Sequence, residues 1–187
     1  MLDEKPIIYV LYNYFVGMLP ARSQYMTKDL FRQSDYFGVP FKFPSNVAEV
    51  MFIKGTIKAQ RLLTAVSRES PELLEPLAKE VYSRIWVKDL DVATPESLLE
   101  ACLDIGLSKE RAEDFLGKIT DADVKDALRA QTEVALEYGA YGVPSYVVHC
   151  EDGSKMLFGV DHLYLLAHYL GEPFVRPVDD KKVASNL

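Results

Sequence analysis

The sequence predicts an α/β protein in which a block of helices interrupts a smaller α/β unit. Three observations carry this expectation. A β-branched and aromatic run, IIYVLYNYFV, occupies residues 7–16. From Asn46 to about Lys118 every periodic segment reads as helix. A long helix, a hairpin and a short closing helix then follow in order up to Leu170. Strand signals on either side of an uninterrupted helical block indicate an insertion into one α/β layer rather than a mixed sheet. The expected division is a split α/β unit, residues 1–44 and 121–187, around a helical insertion, residues 45–120.

The run at 7–16 has one polar interruption, Asn13, and reads as a buried strand or a strand running into a loop. Pro20 breaks it. Residues 24–37 read as a short helix that ends at Gly38, with Pro40 beyond. Ser45 or Asn46 is placed to cap VAEVMFIKGTIKAQRLLTAVSRE, which Gly55 divides. Ser70-Pro71 is an N-cap followed by a proline at the first helical position, where the missing N–H costs nothing. Behind it Leu74, Leu77, Val81 and Ile85 share one helical face. Thr94-Pro95 repeats that start signal ahead of Leu98, Leu99 and Cys102, and Ser108 opens a helix through Phe115 and Leu116.

Asp121 or Asp123 starts a longer helix whose stripe is Val124, Leu128, Gln131, Ala135 and Tyr138, stopped by Gly139. SYVVH, residues 145–149, then reads as a strand, EDGS as a tight turn and KMLFG as a second strand. The closing helix DHLYLLAHYL covers 161–170, with Asp161 placed to cap or complement its N-terminus and Gly171 to end it.

The net charge of −7 disfavours a nucleic-acid backbone as partner. No run reaches the ~18 apolar residues of a membrane span. The first apolar run follows Asp3 and Glu4, where a secretory leader would be basic. Cys102 and Cys150 form no C-x-x-C pair and read as reduced structural thiols. His149, His162 and His168 form no ligand cluster, so no metal site is expected.

Gly142-Val143-Pro144 stands out because a proline opens the best strand signal. Proline has no N–H and weakens a ladder. One reading is a proline that merely begins an edge strand. The other is a cis X-Pro bond, which costs only about 0.5–1 kcal/mol. It would leave the backbone N–H and C=O of Val143 outside the ladder and able to pair with a bound peptide.

The wording of YGAYGVP, MLFG-x-D and LLAHYLGE resembles the C-terminal half of kappa-class glutathione transferases. These are DsbA-type members of the thioredoxin-like group, with a helical domain inserted into a thioredoxin fold. MLPARSQYM, FPSNVAEVM, RLLTAV, SPELLE and TEVALEYGAYGVP extend the likeness over nearly all of residues 13–172. The resemblance implies a thioredoxin-like core with an inserted all-helical domain. It also implies glutathione as substrate, a small electrophile as co-substrate, and conjugation with a weak accessory peroxidase activity. A homodimer or mixed dimer follows from family habit. So does a mitochondrial or peroxisomal address, to which the terminal Ser-Asn-Leu is a distant match and the N-terminus a poor one. Without such an address the location would be cytoplasmic.

Residue by residue, the resemblance implies a glutathione site. Val143, before the family's cis-proline Pro144, would pair its backbone with the cysteinyl part. Asp161 would hold the γ-glutamyl ammonium, Asn13 matches a glutathione-contacting asparagine, and Arg22 replaces a lysine near the glycyl carboxylate. Val160 stands where the family has a serine, which removes one hydrogen bond worth roughly 0.5–1.5 kcal/mol. The family's opening strand, helix and strand, with the serine that meets the glutathione sulfur, has no counterpart before Asn13. No catalytic residue is therefore expected within this sequence. The alternative to a working transferase is a catalytically impaired glutathione-binding or dimer-partner paralogue. The 2-hydroxychromene-2-carboxylate isomerase group shares the implied fold and glutathione, but YGAYGVP and MLFG are nearer the kappa wording.

Overall fold

The computed structural model describes residues 20–174. The expected strand at 7–16, with Asn13, lies outside them. Two compact units divide the chain: the described residues up to Val39 and from Ala130 onward form one, and Pro40–Arg129 forms the other.

In the first unit, α1 spans Pro20–Phe37 and α6, which begins at Ala122, runs to Glu137. Strands β1, Ser145–Cys150, and β2, Gly153–Phe158, pair antiparallel, and a 3-10 turn, Val160–His162, leads into α7, Leu163–Leu170. The register runs from Ser145 opposite Phe158 to Cys150 opposite Gly153, which leaves Glu151-Asp152 as a two-residue turn. Gly153, the first residue of β2 after the turn, takes a φ of 116°, which glycine adopts without strain. Helix α7 packs on β1. It begins two residues later than the sequence suggests, and Asp161 makes no side-chain capping bond. Gly171 ends α7 in the left-handed conformation.

The second unit is helical throughout: a π-helical turn at Glu49–Lys54, α2 at Ile57–Glu69, a 3-10 turn at Pro71–Leu73, α3 at Leu74–Trp86, α4 at Pro95–Asp104 and α5 at Lys109–Lys118. Helix α2 packs on α3 and α5, and α4 packs on α3 and α5. Leu62 and Val66 of α2, Leu77 and Val81 of α3, Leu98 of α4 and Phe115 of α5 are buried where these faces meet. The periodicities at 74–85 and 98–102 thus select the core, because apolar residues three and four apart share a face. Of the expected stripe, Val124 and Ala135 of α6 are buried, but Tyr138 lies one residue past the helix and is exposed.

In the helical unit capping follows the sequence at Asn46, Thr94 and Ser108 but not at Ser70. Thr94 and Ser108 accept hydrogen bonds from the N–H groups three residues on, as N-caps do. Of the two candidates at 45–46, Asn46 is the cap: its Oδ1 accepts from the Glu49 N–H and its Nδ2 donates to the Glu49 carboxylate. Gly55 separates the π-helical turn from α2 with φ of 67°. Ser70 is not a cap. Its hydroxyl is taken by Arg111 of α5, and its carbonyl receives the Leu73 N–H of the 3-10 turn. A partner 41 residues away outcompetes the local cap.

Arg84 of α3 is 2% exposed. Its guanidinium donates to Glu100 at 2.6 Å, Asp104 at 3.2 Å and the Ser97 hydroxyl at 3.0 Å, with Glu80 at 3.6 Å. The Asp91 carbonyl accepts both from Arg84 and from the Ser97 hydroxyl. A buried cation is tolerated only when its donors are satisfied. Desolvation pushes the Asp91 carboxyl up, but bonds from the Thr94 backbone and hydroxyl, the Ala93 N–H and Lys54 outweigh it and hold the group below its ordinary value of 3.8. Burial pushes the Cys102 thiol up to about 11, which makes it an inert core residue. No helix among the described residues is long and apolar enough to cross a membrane, and no cluster of three metal-ligating side chains occurs among them.

Replacing Arg84 by Ala should lower unfolding free energy in urea by roughly 3 kcal/mol, the low end for breaking a buried ion pair, since Glu100 and Asp104 can return to water. The Asp91 contribution has the depressed-carboxylate sign: it is present above pH 3.8 and lost as pH falls through the lowered folded value. Asp91→Asn should therefore flatten the acid limb of a stability-versus-pH curve.

Candidate functional site

The hairpin brings together residues far apart in sequence. One step beyond the Ser145–Phe158 pair, the Gly159 N–H donates to the Pro144 carbonyl at 2.9 Å. This bond extends the pairing to the open end of the hairpin. Val143 precedes it on one side, and Val160 and Asp161 follow it on the other. Gly159, at φ of 84°, turns the chain out of β2 into the 3-10 turn that carries Asp161.

The Val143–Pro144 peptide bond is cis. Among the described residues no hydrogen bond engages the backbone of Val143, which is 43% exposed. The approach to it is held in place on both sides. The Ser145 hydroxyl donates to the Gly142 carbonyl at 2.6 Å. Gly142 is buried against the Phe158 ring: a Cβ there would lie 2.9 Å from Phe158 Cε2. The Phe158 ring in turn packs on Tyr141, with centroids 4.6 Å apart. His162 Nδ1 lies 2.8 Å from the Phe158 carbonyl oxygen, so Nδ1 carries the proton in that bond.

Asp161 lines a cavity of about 370 Å³. Arg32, Tyr36 and Phe37 of α1, with Tyr164 of α7 and Phe174, supply most of its wall. Val160 also borders it and has no polar side-chain atom to offer.

Of the residues expected to bind glutathione, Val143, Pro144 and Asp161 meet at the open end of the hairpin. Arg22 falls in the first turn of α1. The α1 residues of the cavity begin at Arg32, about 15 Å further along the helix axis. Asn13 lies outside the described residues. Arg32, Tyr36, Phe37 and Phe174 were not anticipated. The pairs Arg32–Tyr36 and Gln33–Phe37 have the i, i+4 spacing that puts residues side by side on a helix, but that spacing does not reveal which face a cavity will use.

Chemically, the site offers an unengaged peptide unit, a carboxylate on a turn and an aromatic-walled cavity. That set suits a short peptide with a free ammonium: the backbone of Val143 can pair with the peptide's own backbone, and Asp161 can accept from the ammonium.

Residues 5–171 match the DSBA-like thioredoxin domain. The chain is 41% identical over 162 residues to glutathione S-transferase kappa 1 of Homo sapiens, covering 87% of this chain and 72% of that protein. It is 39% identical, with the same coverage, to glutathione S-transferase kappa 1 of Rattus norvegicus. Among solved structures, 2-hydroxychromene-2-carboxylate isomerase superimposes with a TM-score of 0.61 over 82% of this chain and 68% of that one, at 20% identity. That degree of identity speaks to the fold alone.

Gly142→Ala should lower unfolding free energy in urea by about 1–3 kcal/mol, the usual cost of overpacking. Adding Phe158→Leu should recover part of the loss, because the clash is with the ring edge. Equal stability of Gly142→Ala and the parent would show that the ring does not confine this loop.

Proposed function

The chain belongs to the DsbA-like thioredoxin family and, within it, to the kappa class of glutathione transferases; on that premise we propose that it binds glutathione at the open end of the hairpin and joins its sulfur to a small electrophile. The observation that supports this most is the union of Val143 and Asp161 by the Pro144–Gly159 bond. Glutathione is a tripeptide whose cysteinyl backbone can pair with Val143 while its γ-glutamyl ammonium reaches Asp161. Such pairing holds the sulfur next to Val143, where an electrophile can meet it.

In conjugation the glutathione thiol gives its proton to solvent. The thiolate forms a carbon–sulfur bond with an activated aryl carbon, and a halide leaves with the bonding pair. A free thiol of pKa about 8.5 is only a few per cent ionised at neutral pH. Binding and orientation alone therefore give a modest rate, and a protein donor to the sulfur would be needed for a large one. The second reading, a glutathione-binding protein with little turnover, is favoured by one feature: the aliphatic hydroxyl nearest Val143 in sequence, that of Ser145, already donates to the Gly142 carbonyl.

Retention on immobilised glutathione and conjugation of a generic chloro-dinitroaryl substrate separate the readings. The proposed transferase should be retained, should turn over above the rate of buffer with glutathione, and should bind roughly tenfold more weakly as Asp161→Asn, the loss of one charge-assisted hydrogen bond. Retention without turnover supports the second reading. Absence of retention ends both.

A further inference from the structure

The cavity that contains Asp161 also holds a cation. Arg32 and Asp161 border the same space, and the side chain of neither forms an ion pair or hydrogen bond with the other or with any other described residue. Gln33 lines the cavity too, but its amide nitrogen already donates to Asp29 at 2.6 Å. Among the described residues Arg32 is thus the unengaged cation on this wall, and Asp161 the unengaged carboxylate. Tyr36, Phe37, Tyr164 and Phe174 fill much of the remaining wall with apolar surface.

Two opposite charges that face one cavity without touching match a ligand that carries both charges on neighbouring atoms. An α-amino acid head is such a ligand, and the γ-glutamyl end of glutathione has one. We propose that Arg32 is a further glutathione-binding residue, meeting the γ-glutamyl α-carboxylate while Asp161 takes the α-ammonium. The inference rests on the glutathione reading above and deepens it. The guanidinium presents parallel N–H donors to a carboxylate, a geometry that a neutral side chain does not supply. The aromatic wall covers the two methylenes between the amino acid head and the γ-amide.

Three peptides test this by calorimetric titration of the full chain: glutathione; 4-aminobutanoyl-cysteinylglycine, which lacks the α-carboxylate; and glutaryl-cysteinylglycine, which lacks the α-ammonium. Arg32→Gln should weaken glutathione and the glutaryl peptide roughly tenfold and leave the 4-aminobutanoyl peptide unchanged. Arg32→Lys should keep the charge and lose less. Asp161→Asn should show the reverse selectivity, weakening glutathione and the 4-aminobutanoyl peptide only. Circular dichroism checks that each variant is folded. If Arg32→Gln binds all three peptides like the parent, or weakens all three equally, the assignment of Arg32 is overturned while the selectivity of Asp161→Asn still upholds the glutathione site. If the parent binds none of the three, the glutathione reading falls and takes the role of Arg32 with it.

Discussion

The hydrogen bond from the Gly159 N–H to the Pro144 carbonyl governs the geometry of the candidate site. A two-stranded hairpin is marginal by itself, so each added rung at its open end matters. This rung sits where the chain leaves the ladder on both sides. It therefore sets the spacing between Val143, before the proline, and Asp161, after the turn. The Gly142–Phe158 contact reinforces it: only a residue without a Cβ allows the ring to close on the loop. Phe158 links the two halves, since its ring backs Gly142 and its carbonyl receives His162 from the turn that carries Asp161.

The arginines of the two units show how burial decides the fate of a charge. Arg84 is almost fully enclosed and has three carboxylates and a hydroxyl around it. A bare guanidinium at that depth would cost several kcal/mol. Arg32 lies on an exposed stretch of α1, where hydration satisfies it and a surface ion pair would add little. A well-solvated charge can remain unpaired in the fold and be available to a ligand. The same reasoning holds for Asp161, exposed on its turn.

The helical unit follows simpler rules. Its core is the meeting of four amphipathic faces, and Leu62, Leu77, Leu98 and Phe115 would be assigned there by spacing alone. Where it departs from local rules, a long-range partner is responsible. Ser70 has the sequence context of an N-cap, yet Arg111 takes its hydroxyl. A charge-assisted bond outweighs a neutral cap, and the 3-10 turn after Pro71 satisfies the backbone in its place.

Much of the architecture was legible in the residues. Helices from Ile57 to Lys118, the hairpin, and the stops at Gly38, Gly55 and Gly171 follow from periodicity and from backbone conformations that glycine adopts most easily, whereas the turn is two residues, Glu151-Asp152, rather than all of EDGS. The motif around Val143 and Pro144, and a carboxylate at Asp161, were legible as well. By itself the sequence determined which of the described segments are helix or strand, and it singled out Val143, Pro144 and Asp161 as candidates for a site, because both depend on near neighbours along the chain. Only the tertiary structure decided that Arg32 shares a cavity with Asp161, that Gly142 must admit the Phe158 ring, and that Ser70 serves Arg111 rather than its own helix. Those outcomes depend on which distant side chains arrive at the same place, and spacing along the chain holds no record of that.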